Sequence, residues 1–340
     1  MNDLKQSMIT LAGSSEDKRG WVYRIGTEGV RVREVEVVSE HEDDTPATVV
    51  QISDLHLGTL NQKDWVEGNP TLLSTYENRM WLKNGGSSDV TTKALRYASL
   101  IADQIVITGD AMDYLSHGSA ELLQKLVWND YPDTIITSGN HEWLQCMQGK
   151  VPESLSIDER ALWLERIWSP HHDFYYTSRL VKNKVLVVQL ENSLCKFWDS
   201  QVEPLKHDLE LARQKHYVVL VFAHTKLWTN NPKETHVNSI IPNPYAKTNQ
   251  FNFYETCDNR NGQLVGFGAE ANSATDRVYQ LIVKNADIVR GVFVGHEHVD
   301  LYTEIVGEHG VTQEKMTIPQ YVLTTNAIDP YGAILKITVR

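Results

Sequence analysis

Gly295-His296-Glu297-His298 follows an apolar run, Val289 to Val294, that reads as a buried strand. Side chains one residue apart on an extended strand point to opposite faces. Two imidazoles spaced this way meet only where the strand has ended and the chain turns. Gly295 supplies the backbone freedom for such a turn. The histidines could then serve two metal ions, one each, although two solvated loop histidines would look the same. The choice rests on whether other strand ends carry matching donors.

Four of them do. The β-branched run Thr48 to Ile52 stops at Ser53-Asp54-Leu55-His56, and Ile105 to Thr108 ends at Gly109-Asp110. Thr134 to Thr137 leads to Gly139-Asn140-His141-Glu142, and Tyr217 to Phe222 delivers Ala223-His224. Between the first three runs lie helical patterns, one from Asp89 with Ala94, Leu95, Ala98, Ile101 and Ala102 on a single face, and one over Ala120 to Val127. This is a β-α-β arrangement, and open α/β sheets place their sites at the carboxyl ends of strands. Taken singly, Asp-x-His is a commonplace surface pair and Gly-Asp a routine turn. Five such strand ends in one chain are hard to ascribe to accident, and mixed imidazole and carboxylate sets suit borderline transition metals.

The rest of the chain gives weaker signals. Trp21 to Ile25 and Val30 to Arg33 alternate like edge strands, after a polar start to about residue 20. Glu40 to Asp44 reads as an acidic linker, and Leu57 to Ser88, rich in Gly, Asn and Ser, as one long loop. Ser156-Ile157-Asp158-Glu159 is a capping box opening a helix to Trp168, whose Leu162, Trp163, Ile167 and Trp168 line either the core or a substrate cleft. Strands are expected at Phe174–Thr177, Val185–Leu190, Leu301–Ile305, Met316–Leu323 and Ala333–Val339, with helices at Glu203–Lys215 and Ser273–Ala286. Residues 1–46 form an extension with edge strands and 47–340 the main domain. Lys226 to Ala271, irregular and rich in Asn, Pro and aromatics, is a lid or insertion suited to substrate selection, or a surface excursion with no catalytic part.

Bulk properties narrow the class. At 340 residues, 41% hydrophobic and 22% charged, the chain can bury a sizeable core. The net charge of −12 disfavours a general nucleic-acid binder, which needs Lys and Arg to neutralise phosphates. No apolar run nears the ~18 residues of a membrane span. Met1 to Gln6 lack the basic start of a secretory signal, though a leader removed ahead of this chain would leave the same sequence. Cys146, Cys195 and Cys257 are odd in number and far apart, as expected of reduced thiols in a cytoplasmic protein.

As a set, Asp54-Leu55-His56, Gly109-Asp110, Gly139-Asn140-His141-Glu142, Ala223-His224 and Gly295-His296-Glu297-His298 resemble the blocks of the calcineurin-like metallophosphoesterases, over about residues 48 to 300. The resemblance implies an α/β fold, a four-layer α/β/β/α sandwich with two central mixed sheets, and a centre of two transition-metal ions (Mn, Fe, Zn or Ni). Carried over by position, Asp54, His56 and His298 would hold one ion, Asn140, His224 and His296 the other, with Asp110 bridging. It further implies in-line attack on a phosphate mono- or diester by a metal-bridging hydroxide. His141 would donate the proton to the leaving group, oriented by Asp113, for which a turn-capping role is the alternative.

Departures from subfamily patterns matter. Tyr114-Leu115 stand where Ser/Thr phosphatases place Arg-Gly. Purple acid phosphatases carry Asp-x-Gly in place of Asp54-Leu55-His56 and a metal-binding Tyr where Asp113 stands. The expected activity is therefore a phosphoric ester hydrolase acting on a small phosphate ester. A nuclease of the DNA-repair type shares the motifs, but lacks support from any Lys/Arg-rich stripe. A non-catalytic scaffold would be expected to have lost ligands or the proton donor, and none is missing. Glu297, between the two histidines, is expected to face away without a role.

Overall fold

The computed structural model describes residues 24–25, 29–40, 45–79, 87–144, 155–194, 196–227, 236–237, 273–298, 300–327 and 332–340. Two mixed sheets lie face to face with helices outside each, giving the four layers that the resemblance implied.

The first sheet holds β1 (Arg24–Ile25), β2 (Arg31–Val37), β3 (Ala47–Ile52), β4 (Gln104–Thr108), β5 (Ile135–Thr137) and β13 (Ala333–Val339), in the order β1-β2-β13-β3-β4-β5. The second holds β6 (Tyr176–Val181), β7 (Val185–Leu190), β8 (Val218–Phe222), β9 (His236–Val237), β10 (Val289–Val294), β11 (Leu301–Glu308) and β12 (Lys315–Val322), in the order β6-β7-β8-β10-β12-β11-β9. β3, β4 and β5 are mutually parallel, as are β7, β8, β10 and β12. The carboxyl ends of β3, β4, β5, β8 and β10, which carry the expected ligands, therefore collect at one end of the sandwich. β1 is the sheet edge; β2 pairs along its whole length with β13.

The central strands are continuous apolar runs because both of their faces are covered. Val50, Ile52, Ile105 and Ile107 face α3 (Ser87–Ile101), α4 (His117–Leu123) and α5 (Ile157–Trp168). Alternate residues such as Val49 and Val106 meet Val187, Leu220, Phe222 and Phe293 of the opposite sheet. That sheet's other face packs Val219, Val221, Val292 and Val294 against α6 (Asp199–Lys215) and α7 (Ala274–Val283).

Several expectations need correction. The stretch read as one loop from Leu57 to Ser88 contains α1 (Gln62–Glu67) and α2 (Pro70–Asn78). The Asn, Gly and Pro residues that suggested a loop are helix punctuation. Asn61 and Asp64 form a reciprocal capping box, Gly68 closes α1 in the left-handed conformation, and Asn69 caps α2 with Pro70 at its first position. The helix expected at Ala120–Val127 starts at His117, capped by Ser116, and ends in a π-helical turn, Gln124–Trp128. β6 begins at Tyr176 rather than Phe174, whose ring is core. The capping box at Ser156 and Glu159 stands; Leu164 and Trp168 are buried, while Leu162 is exposed. Of Lys226–Ala271, the structure describes only Lys226, Leu227 and the pair His236–Val237, which adds a strand beside β11. The first 20 residues, His41 to Asp44 and all three cysteines lie outside the described residues.

Candidate metal centre

Five of the seven residues expected to hold metal have backbones in the left-handed region: Asp54 (φ 53°), His56 (48°), Asp110 (47°), His296 (71°) and His298 (54°). Non-glycine residues rarely adopt this conformation, and each instance costs on the order of 1–3 kcal/mol. The strain gathers where strands end and side chains must be swung inward. Gly295 acts differently from expectation. The unusual turn belongs to His296 and His298, while a Cβ on Gly295 would overlap Ser53 Oγ and Asp54 Oδ2. Gly139 likewise admits Asp110, whose carboxylate fills the space a side chain would take.

The side chains converge. His298 Nε2 lies 3.2 Å from Asp54 Oδ1 and 3.0 Å from His56 Nε2. Across the centre, His224 Nε2 lies 3.1 Å from Asn140 Oδ1 and 3.2 Å from His296 Nδ1. Asp110 sits between the groups, with Oδ2 3.8 Å from His56 Nε2 and Oδ1 3.3 Å from His224 Nε2. Asp54, His56, Asp110 and His298 form one cluster able to hold an ion, and Asp110, His224 and His296 a second. Asp54, His56, Asp110 and His224 make a buried floor; Asn140, His141, His296 and His298 form a partly exposed rim.

The donor set fits transition-metal ions. Buried carboxylates and imidazoles face one another at ligand-to-ligand distances, and ring orientation leaves a nitrogen free for the centre. His224 Nδ1–H donates to Thr108 O at 2.8 Å, so Nε2 faces the centre and carries the lone pair in the neutral ring that an ion would bind. The charges are strongly coupled. Burial opposes ionisation of Asp54 and Asp110, but His298 holds the Asp54 carboxyl below its usual range, and His141 and His224 hold Asp110 well below it. Against burial, the Asp110 carboxylate raises His224 to about 10. Burial and the nearby His224 push His296 down to about 3.

His141 stands beside this cluster. Its Nδ1 lies 3.0 Å from the Asp113 carbonyl oxygen and 3.2 Å from Asp113 Oδ1, and its Nε2 is 3.8 Å from Asp110 Oδ2. Burial works against its protonation, yet Asp110 and Asp113 together raise its pKa.

Supporting residues with no role assigned from the sequence surround the cluster. Glu142 accepts from the amides of Met112 and Gly139 at 2.8 and 2.6 Å, tying the Asp110 turn to the Asn140 turn. Burial and the Asp110 charge raise its carboxyl to about 7. Asn192 accepts from the amides of His224 and Thr225, both at 3.0 Å. It follows the apolar strand β7, so the strand-end signal used for the ligands was present there too. Glu297 is not a solvent-facing spectator: it is buried and ion-paired with Lys226. Three residues on, Asp300 pairs with Arg33 of β2 at 2.5 Å, both only 2% exposed. Arg79, from the stretch read as loop, forks onto Asp113.

The family profile of calcineurin-like phosphoesterases matches residues 47–300. The chain belongs to that family, whose fold and dinuclear, metal-dependent ester hydrolysis accord with the two sheets and the His/Asp cluster. Comparison with curated proteins finds no match. Among solved structures the chain is similar to a dimetal phosphatase from Danio rerio, at 14% identity and a TM-score of 0.42, covering 86% of this chain and 91% of that one. It is similar also to a purple acid phosphatase from yellow lupin, Lupinus luteus, at 14% identity and TM-score 0.40, covering 93% and 48%. A third, PhoD, gives 11% identity and TM-score 0.43, covering 88% and 59%. Among the described residues, no helix is long and apolar enough to cross a membrane.

Proposed function

We propose that this protein hydrolyses a small phosphate mono- or diester at a centre of two transition-metal ions, Mn, Fe, Zn or Ni. The observation that carries the proposal is the meeting of donors from five strand ends around one carboxylate, Asp110, with His141 alongside. Asp54, His56 and His298 would hold one ion, and Asn140, His224 and His296 the other, with Asp110 shared. Two such ions supply Lewis-acid polarisation of a phosphoryl oxygen and activation of water near neutral pH.

The chain's own residues account for the remainder. The buried floor excludes water beneath the ester, and the rim leaves one side open to it. His141 sits on that rim, with Nδ1 held by Asp113 and Nε2 directed to the centre. An imidazole so held, with its protonated form favoured, gives its Nε2 proton to a departing alkoxide. Esters with poor leaving groups need that proton most, which favours alkyl and diester substrates. In the metal-loaded protein, His141→Ala is expected to retain metal and lose roughly 100-fold or more of its turnover. Failure of the loaded wild type to cleave any mono- or diester in a broad screen would defeat the proposal.

A further inference from the structure

One carboxylate oxygen does an unusual amount of bonding. Asp113 Oδ1 lies 3.0 Å from His56 Nδ1, 3.2 Å from His141 Nδ1 and 2.5 Å from Arg79 Nη2, while Oδ2 lies 2.8 Å from Arg79 Nε. His56 belongs to the ligand set, and His141 is the rim histidine. Both rings turn the same nitrogen to Asp113, and a carboxylate can only accept. Each ring therefore carries a proton on Nδ1, which leaves the Nε2 lone pair of His56 for an ion and makes His141 Nε2 the atom that carries the deliverable proton. The rings meet edge to face, centroids 4.3 Å apart.

What fixes the carboxylate is Arg79. It follows the last turn of α2, whose Thr71, Leu72 and Thr75 are buried, and its own amide donates to Thr75 O at 2.9 Å. The backbone is therefore pinned. Its guanidinium presents two nitrogens to the two oxygens of Asp113, the planar fork that lysine cannot reproduce. Asp113 is 2% exposed and Arg79 20%.

We propose that Arg79 is a positioning residue that acts through Asp113 to orient His56 and His141 together, so that metal retention and proton delivery rest on one guanidinium. In its catalytic half this rests on the phosphoesterase reading; in its metal half it does not.

The test is a double-mutant cycle of Arg79→Met and Asp113→Asn, with Arg79→Lys as the charge-preserving variant, on full-length protein. Two readouts are taken: Mn affinity by titration, and kcat and KM for an aryl against an alkyl phosphate ester. Arg79→Met is expected to weaken one Mn by about 10- to 100-fold. It should lower kcat more for the alkyl than for the aryl ester at little change in KM. Arg79→Lys should recover only part of the loss, and Arg79→Met should add almost nothing in the Asp113→Asn background. Additive effects, or a rise in KM alone with Mn affinity intact, would overturn the inference and make Arg79 a substrate-gripping residue. Should the wild type bind Mn yet hydrolyse nothing, the phosphoesterase reading fails while the affinity cycle still decides Arg79. A chain that takes up none of Mn, Fe, Zn or Ni would overturn both.

Discussion

The two halves of the proposed centre use similar donors but are held in place by different physics. Around Asp54, His56 and His298 the anchors are charged: Arg79 forks onto Asp113 behind His56, and Arg33 pairs with Asp300 just beyond His298. Around Asn140 and His224 the anchors are mainly hydrogen bonds to the backbone, made by Asn192, by the Thr108 carbonyl and by the carboxyl of Glu142, while the buried Lys226–Glu297 pair lies between the halves. A buried ion pair is costly to break from one side, because it strands a charge. A buried carboxamide costs less to remove, because only dipoles are left unmet. The halves should therefore fail differently, and metal occupancy should report which has failed.

The largest effect is expected where the halves share a group. Asp110→Asn removes the common carboxylate, so both metal positions should empty and turnover fall on the order of 1000-fold or more. Loss of a single ion would show that Asp110 serves one half alone.

Next come the anchors, compared directly. Arg33→Met leaves Asp300 buried without its cation and should cost about 3–5 kcal/mol in urea unfolding. Asn192→Ala leaves the amides of His224 and Thr225 unmet, for about 1–3 kcal/mol. Metal titration should show Arg33→Met weakening the His298 side and Asn192→Ala the His224 side. Equal weakening of both ions by either change would dissolve the distinction.

Acid should probe the second half through β5. His172 Nε2 accepts the Ile136 amide at 3.0 Å, and its Nδ1–H donates to Asp173 O at 2.8 Å, so a second proton would set N–H against N–H. Burial lowers this imidazole to about 4 from its ordinary 6.5. The unfolded chain then binds the extra proton first. The stabilisation is present above pH 6.5 and is lost as pH falls from 6.5 to 4. Its size is roughly 2 kcal/mol once partial exposure is discounted. His172→Gln, which keeps an acceptor but cannot titrate, should flatten that stretch of the stability curve. An unchanged curve would remove His172 as the cause.

The smallest effect belongs outside both halves. Leu162 is 53% exposed on α5, so Leu162→Gln should change stability by no more than about 0.5 kcal/mol and leave KM alone. A raised KM would restore that helix as part of a substrate cleft.

The same contrast governs what the sequence made legible. The proposed ligands could be read because each follows an apolar strand, so a local pattern marks its place, and parallel strands bring those places together. α1 and α2 were lost because capping residues, taken as composition, imitate a loop; Asn61 with Asp64 and Asn69 with Pro70 become helix starts only when read by position. Arg33, Arg79 and Lys226 meet their acids across the fold and leave no spacing to recognise. Glu297 looked idle because nothing near it in sequence shows the lysine it meets. Only the fold can show which distant cation a buried acid finds.

The most direct measurement pairs metal stoichiometry with hydrolysis in one sample. Chelated protein is titrated with Mn while release from bis-aryl and aryl phosphate is followed. Turnover is expected to appear as the second ion per chain is taken up, to vanish on chelation, and to be absent in Asp110→Asn at any Mn concentration. Saturation at one ion, or two bound ions with no hydrolysis of either ester, would contradict a two-ion hydrolytic centre.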